Sequence, residues 1–252
     1  MADTRGIQRI LEERTTSPQV ITLDGAAGTG KTSLARSLAS FLGLKYLDTG
    51  AMYRSIALGL GEGAWDKPAQ WLEDRLGAFG FSLSGSGEGT RLELNGLAVD
   101  EAIRREDVGM WASRLAGLPV VRKHLTRCQQ ELGASFSLVA EGRDMGSVVF
   151  PGAQFKYFLQ ADVEERARRR LRQLREEYGR EAQWEDIKKD LEKRDSQDSN
   201  RAIAPLRAAE DAVCIDTTDR GLQEVLQLIL QDIESRLIPS QDPPHLRGDL
   251  SQ

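Results

Sequence analysis

The chain has 252 residues and a formal net charge of −5, the wrong sign for a protein that coats a polyanion, although local basic clusters stay open. Hydrophobic residues make up 40% and charged residues 29%, an ordinary globular balance, and no apolar run approaches the roughly 20 residues of a membrane span. The length suits one α/β domain of good size or a core with an inserted subdomain.

Residues 1–18 mix Asp3, Arg5, Arg9, Glu12, Glu13 and Arg14 with few hydrophobics. They read as a polar, partly helical extension without the apolar core of a signal peptide, and the cytosol is the expected location. Cys128 and Cys214 are the only cysteines; a reducing compartment predicts two buried thiols rather than a disulfide. His124 and His245 are the only histidines, and without a close cysteine or histidine pair a zinc site is not expected.

The core begins at Gln19. Val20 to Leu23 is a short β-branched, apolar run that predicts a buried strand. Gly25, Ala26, Ala27, Gly28, Thr29, Gly30, Lys31 and Thr32 then fit G-x-x-x-x-G-K-T, followed by Ser33 and a helix with Leu34, Leu38 and Phe41 or Leu42 on one face. Glycines let successive backbone N–H groups face one anion, and the new helix adds its positive end. Lys31 can reach the β- and γ-phosphates of a nucleotide, and Thr32 can offer its hydroxyl to magnesium. Gly43 reads as a helix stop. Lys45–Leu47 is a candidate strand, and Thr49 is the expected cap of a helix carrying Met52, Ile56 and Leu60. This β-α-β-α opening implies a parallel sheet.

Character changes after Gly61. A short helix over Trp71–Leu76 precedes candidate strands at Phe79–Leu83, Arg91–Leu94 and Leu97–Val99. Asn95-Gly96 is the strongest hairpin signal in the chain. The expectation is a small antiparallel subdomain over about 63–118, inserted in a core formed by 19–62 and 119–238. Helices are expected over 100–116 and 119–132. A core strand at Ser137–Ala140 runs into Glu141-Gly142-Arg143-Asp144-Met145-Gly146, and another strand follows at Phe155–Leu159. A helix over 162–178 carries Val163, Ala167, Leu171, Leu174 and Tyr178 on one face and Arg166, Arg169, Arg170 and Gln173 on the other. A charged helix over 183–195, a strand at Ala212–Ile215 and an amphipathic helix over 221–236 complete the pattern. The tail from Pro239 reads as disordered.

Joining a phosphate donor to a phosphate acceptor needs several cations and a site closed to water. Arg54, Arg143 and Asp144 follow core strands, where parallel-sheet proteins bind ligands. Arg194, Asp198 and Arg201 fall near the end of a helix. On their own, Arg166, Arg169 and Arg170 fit a solvated helix face paired with Glu164 and Glu165 as well as they fit a phosphate site. No Ser-His-Asp arrangement is visible, and transfer to an ionised phosphate needs none.

Four motifs in order carry a family resemblance: Ile21–Ser33, Asp48–Arg54, Glu141–Pro151, and Arg194–Arg201 with Ala204-Pro205-Leu206. Over about Val20–Leu237 the chain resembles the bacterial cytidylate kinase family, P-loop nucleoside monophosphate kinases that use ATP to phosphorylate CMP and dCMP. The resemblance implies an α/β three-layer sandwich with a parallel core sheet, an antiparallel monophosphate-binding insert and a helical lid over about 162–182. It implies that Gly25–Ser33 hold ATP, with Lys31 on its phosphates and Thr32 near Mg2+. Arg54, Arg143 and Arg201 would hold the CMP phosphate, and Thr49 and Tyr53 would line that pocket. Ser113, Arg122 and Asp144 would read cytosine, and Arg194 and Asp198 would bind the ribose. Arg166, Arg169 and Arg170 would belong to the lid over ATP, which tips that cluster towards function; Lys31, Arg143 and Arg169 would be catalytic. A monomer is implied, with no nucleic-acid or membrane partner. Ala26 stands where the family often has proline, and Ser147 where threonine is common; neither removes a phosphate ligand. A kinase of the same build for UMP or shikimate, and a non-catalytic nucleotide-binding regulator, are the competing readings; Lys31, Thr32, Arg54 and Arg143 speak against the second.

Overall fold

A computed structural model describes residues 17–178 and 182–237, with side chains of 177 and 178 left aside. Most of the expected extension, the whole expected tail from Pro239, residues 179–181 of the expected lid, and the Tyr178 side chain lie outside the described residues. In chain order the strands are β1 (Val20–Gly25), β2 (Lys45–Asp48), β3 (Phe81–Ser84), β4 (Arg91–Leu94), β5 (Leu97–Ala98), β6 (Leu138–Gly142), β7 (Phe155–Gln160) and β8 (Val213–Asp216). The helices are α1 (Lys31–Leu42), α2 (Thr49–Leu60), α3 (Ala69–Leu76), α4 (Glu106–Leu115), α5 (Pro119–Ser135), α6 (Val163–Tyr178), α7 (Trp184–Ser199) and α8 (Leu222–Leu237).

Five strands form a parallel sheet in the order β2-β6-β1-β7-β8. β1 sits at its centre, so both faces of Ile21 to Gly25 are covered and the run is buried throughout. One face packs Ile21, Leu23, Phe155 and Tyr157 against Leu34 and Leu38 of α1 and Ile229 and Ile233 of α8. The other packs Leu138 and Ala140 against Met52 and Ile56 of α2 and Val121 and Leu125 of α5. Gly25 sits at the end of β1 with φ of 148°, and a Cβ there would stand 2.3 Å from the Leu159 carbonyl oxygen of β7. Only glycine lets the strand turn into the loop at that spacing.

The second sheet is antiparallel, in the order β3-β4-β5. Asn95 and Gly96 have φ of 53° and 79°, the left-handed pair of a type I′ turn, which sets Leu94 opposite Leu97. The Asn95 side chain also donates to the Ala78 carbonyl and accepts from Gly80 N–H, each at 2.8 Å, tying the hairpin to the start of β3. The insert has no core of its own: Leu72, Leu76, Leu83, Val108 and Leu115 join the cluster under the parallel sheet.

Several local expectations change. The helix expected over 100–116 splits into a 3-10 turn, Glu101–Arg104, capped by the Asp100 carboxylate through Ala102 N–H, and α4; between them Arg105 leaves the helical backbone at ψ of 146°. Asp48, not Thr49, caps α2 by accepting from Ala51 N–H. Aspartate caps at least as well as threonine, and the Thr49 hydroxyl is drawn instead to the Glu141 carbonyl. α7 runs on to Ser199. Both cysteines are free thiols, but Cys214 is exposed rather than buried, because β8 is a sheet edge and Cys214 faces out. Among the described residues, no helix is long and apolar enough to cross a membrane.

Gly25→Ala is expected to cost at least about 3 kcal/mol, since the strained φ and the backbone overlap add. Urea unfolding at the wild-type midpoint would refute the close approach.

Candidate active site

Backbone register brings the loops together. β6 lies between β1 and β2, and its Glu141 is level with Leu23 on one side and Asp48 on the other. The three chain segments that leave these strands therefore emerge side by side at the carboxyl end of the sheet, where α/β proteins bind ligands.

Residues Gly25–Gly30 curl between β1 and α1. The Lys31 ammonium is buried and folds back to donate to the Ala26 carbonyl and, at 3.2 Å, to the Thr29 hydroxyl. Burial and the Arg143 charge hold its pKa well below the usual lysine range. The Thr32 hydroxyl donates to the Glu141 carboxylate, lying 2.9 and 3.0 Å from its two oxygens. The Tyr46 hydroxyl donates to the same carboxylate. Burial, and then the Asp48 charge, push the Glu141 carboxyl up. Asp24 accepts from Met145 and Gly146 N–H, both at 2.8 Å, and so fixes the turn Met145–Val149 that follows Asp144.

Across from the loop, Arg122 and Asp144 form a buried ion pair. Burial raises the Asp144 carboxyl despite Arg122 and Arg201. Tyr53 is half-buried beside them; burial leads in lifting its pKa to about 12, with the Asp144 charge adding to it. Between the loop and this pair lies a band of cations. Arg143 donates to Asp198 at 2.9 Å, and Arg201 pairs with the same carboxylate. Burial works to raise Asp198, but the two arginines outweigh it and hold it low. Arg54 donates to the carbonyls of Ile103 and Arg105. Arg194 is held down to about 10 by burial and then by Arg143, with Arg54 and Arg201 adding to it. Its buried Nε finds no partner among the described residues.

The sequence-predicted residues fall into place unevenly. The loop, Thr49, Tyr53, Arg54, Arg122, Arg143, Asp144, Arg194, Asp198 and Arg201 surround one region. Ser113 lies half-buried on α4, and among the described residues no hydrogen bond ties it to the Arg122–Asp144 pair. Of the two readings of the α6 arginines, the solvated face fits only Arg170. Arg166 is 6% exposed, because its guanidinium reaches back under the loop to the Ala27 carbonyl. Arg169 is partly covered and donates to the Thr217 and Thr218 carbonyls; only Arg170 is exposed, donating to Gln173. Sequence reasoning does not reach Asp24, Tyr46, Glu141, Asp195 and Thr217, which the structure also brings to this region. Glu141 left a signal, a charged residue at the end of the apolar strand Leu138–Ala140. Tyr46 and Thr217 left none, since a tyrosine or threonine at a strand end usually only packs.

One pH dependence follows. Asp24 is buried, and burial outweighs its two backbone bonds to lift it from 3.8 to about 6. The folded state holds this proton more tightly than the unfolded chain, so the stabilisation is complete below about pH 4 and is lost as pH rises past about 6. Relative to Asp24→Asn, the wild type is expected to lose about 2 kcal/mol between pH 4 and pH 7 in urea titrations; a constant difference would count against the buried acid.

The sequence profile described as Cytidylate kinase matches residues 21–235. The chain is 50% identical over 215 residues to a protein of Oleidesulfovibrio alaskensis named Cytidylate kinase, an overlap covering 85% of this chain and 98% of that one. It is 47% identical over 221 residues to a Cytidylate kinase of Maridesulfovibrio salexigens, covering 88% and 99%. It is 50% identical over 218 residues to one of Nitratidesulfovibrio vulgaris, covering 86% and 94%. With a G-x-x-x-x-G-K-T loop, a band of arginines and a buried arginine–carboxylate pair at the carboxyl end of one sheet, and relatives that match over most of the chain, the chain belongs to the cytidylate kinase family.

Proposed function

We propose that the chain transfers the γ-phosphoryl group of ATP to the phosphate of CMP and dCMP, giving CDP and dCDP. The observation that carries this is the gathering of Arg54, Arg143, Arg194 and Arg201 between the loop and the Arg122–Asp144 pair, where burial and then the Arg143, Arg54 and Arg201 charges depress Arg194. Such a band has its electrostatic complement in two phosphate groups brought face to face.

In this reading Gly25–Ser33 cradle the donor phosphates, and Lys31 exchanges the Ala26 carbonyl for a phosphate oxygen. The Thr32 hydroxyl and the Glu141 carboxylate are adjacent hard oxygen donors, a set that fits Mg2+. Thr32 would ligate the ion directly and Glu141 through its waters. When bound, the ion neutralises charge on the β- and γ-phosphates. Arg54, Arg143 and Arg201 grip the acceptor phosphate beside Thr49 and Tyr53. Arg194 and Asp198 take the ribose hydroxyls. Asp144 accepts from the amino group of cytosine, while Arg122 donates to its ring nitrogen and carbonyl; Ser113 borders that edge. Arg169 and Arg170 close from α6 over the donor, and Lys31, Arg143 and Arg169 follow the charge on the transferred group. The acceptor phosphate is already ionised, so no base is required, and positioning and charge do the rest. All these residues come from one chain, so a monomer suffices.

With Mg2+ and ATP, ADP release is expected with CMP and dCMP and to be far slower with UMP, AMP and shikimate; no turnover with either cytidine nucleotide would overturn the assignment. Lys31→Ala is expected to lower kcat by about 100-fold or more with an unchanged circular dichroism spectrum. Asp144→Asn keeps the volume while removing the charge that Arg122 and the cytosine amino group share. It is expected to narrow the CMP/UMP ratio of kcat/KM by about 10- to 100-fold; an unaltered ratio would remove Asp144 from base recognition.

A further inference from the structure

Arg166 stands on the first turn of α6 and makes three bonds to three parts of the molecule. Its Nε donates to the Ala161 carbonyl just past β7 at 2.9 Å. Nη1 donates to the Ala27 carbonyl of the donor loop at 3.1 Å. Nη2 donates to the Asp195 carboxylate on α7 at 2.6 Å. The packing at this joint is close: a Cβ on Gly28 would lie 3.1 Å from the Arg166 Cβ. Asp195 is in turn next to Arg194 and one helical turn before Asp198, which holds both Arg143 and Arg201. Its other carboxylate oxygen is buried without a hydrogen-bond partner among the described residues, so the carboxylate's polar contact is spent on Arg166 alone. A buried oxygen left unsatisfied costs stability, which is reason to look for what the group does.

The chain of contacts thus runs from the donor loop through one planar guanidinium to the helix that carries Arg194 and Asp198. An arginine suits this joint because its fork serves several acceptors at fixed angles, whereas a lysine offers one point charge. Resting on the acceptor pocket proposed above, we propose that Arg166 and Asp195 are positioning residues that couple the two nucleotide sites. Phosphates in the loop fix the Ala27 peptide, Arg166 follows it, and Asp195 sets α7 so that Arg194 and Asp198 meet the acceptor in register. Arg166 is then a strut beneath the donor loop rather than a direct ligand of ATP, and the Ala27 contact, the longest of its three, is the point at which donor occupancy is sensed.

Calorimetric titration of CMP, with and without a non-transferable ATP analogue and Mg2+, tests the link. In the wild type the analogue is expected to tighten CMP binding five-fold or more. In Asp195→Asn, which is isosteric, CMP alone should bind within about three-fold of wild type, while the tightening falls below two-fold. Adding Arg166→Lys to it should change the ratio no further, as expected for two members of one contact. If Asp195→Asn does not fold, Arg166→Lys alone carries the same expectation. Tightening retained in either single variant, or absent from the wild type, overturns the coupling. A wild type that binds no CMP under either condition overturns the acceptor pocket and the coupling with it.

Discussion

Repulsion among crowded, largely covered cations is the constraint on which the rest of this molecule depends. Two like charges 4 Å apart repel by about 4 kcal/mol at the effective permittivity of a protein surface. Lys31, Arg54, Arg143, Arg194 and Arg201 nevertheless gather at the carboxyl end of the sheet, and burial together with the charges of Arg143, Arg54 and Arg201 lowers the affinity of Arg194 for its proton. Asp198 offsets part of the repulsion by bridging Arg143 and Arg201, and the carbonyls of Ile103 and Arg105 hold Arg54. In the proposed function, two nucleotide phosphates are the anions that complement this cluster.

The backbone makes that concentration possible. Parallel pairing of β6 between β1 and β2 puts Glu141, Asp24 and Asp48 at nearly one level. Each carboxylate there has a different task. Asp48 starts a helix, Asp24 clamps the turn after Asp144, and Glu141 faces the Thr32 hydroxyl. The insert supplies the opposite wall, and because it shares the hydrophobic cluster beneath the parallel sheet, its placement is fixed by the same packing that fixes the strands.

Much of this was legible in the sequence because the signals are local. The phosphate loop needs glycines at set spacing, and Asn95-Gly96 sets a turn whatever surrounds it. The arginines after β2 and β6 could be placed because a strand end determines where the next residues point. What stayed hidden depends on contacts between segments far apart. Thr49 and Asp48 are both good caps, and the choice was decided by the Glu141 carbonyl, 92 positions away. Helical periodicity put Arg166 on a polar face, but that face turned out to lie against the donor loop, 139 positions away. The break at Arg105, where ψ turns to 146° between the turn Glu101–Arg104 and α4, leaves no mark in the apolar periodicity. The Cys214 exposure followed from strand order, which periodicity does not encode.

The Asn95-Gly96 turn bears on how the molecule ages. An asparagine before glycine is prone to lose its amide when the next backbone nitrogen attacks the side-chain carbonyl carbon, leaving aspartate or its β-linked isomer. Here both ends of the amide are held, by the Ala78 carbonyl and by Gly80 N–H, and the turn that favours the chemistry also restrains the group that would undergo it. Conversion to a carboxylate would remove the donor to Ala78 and set a negative charge against that carbonyl. The β-linked isomer would also add an atom to a loop that has room for two residues. The hairpin's geometry therefore acts as a clock whose rate is set by how often these two hydrogen bonds open.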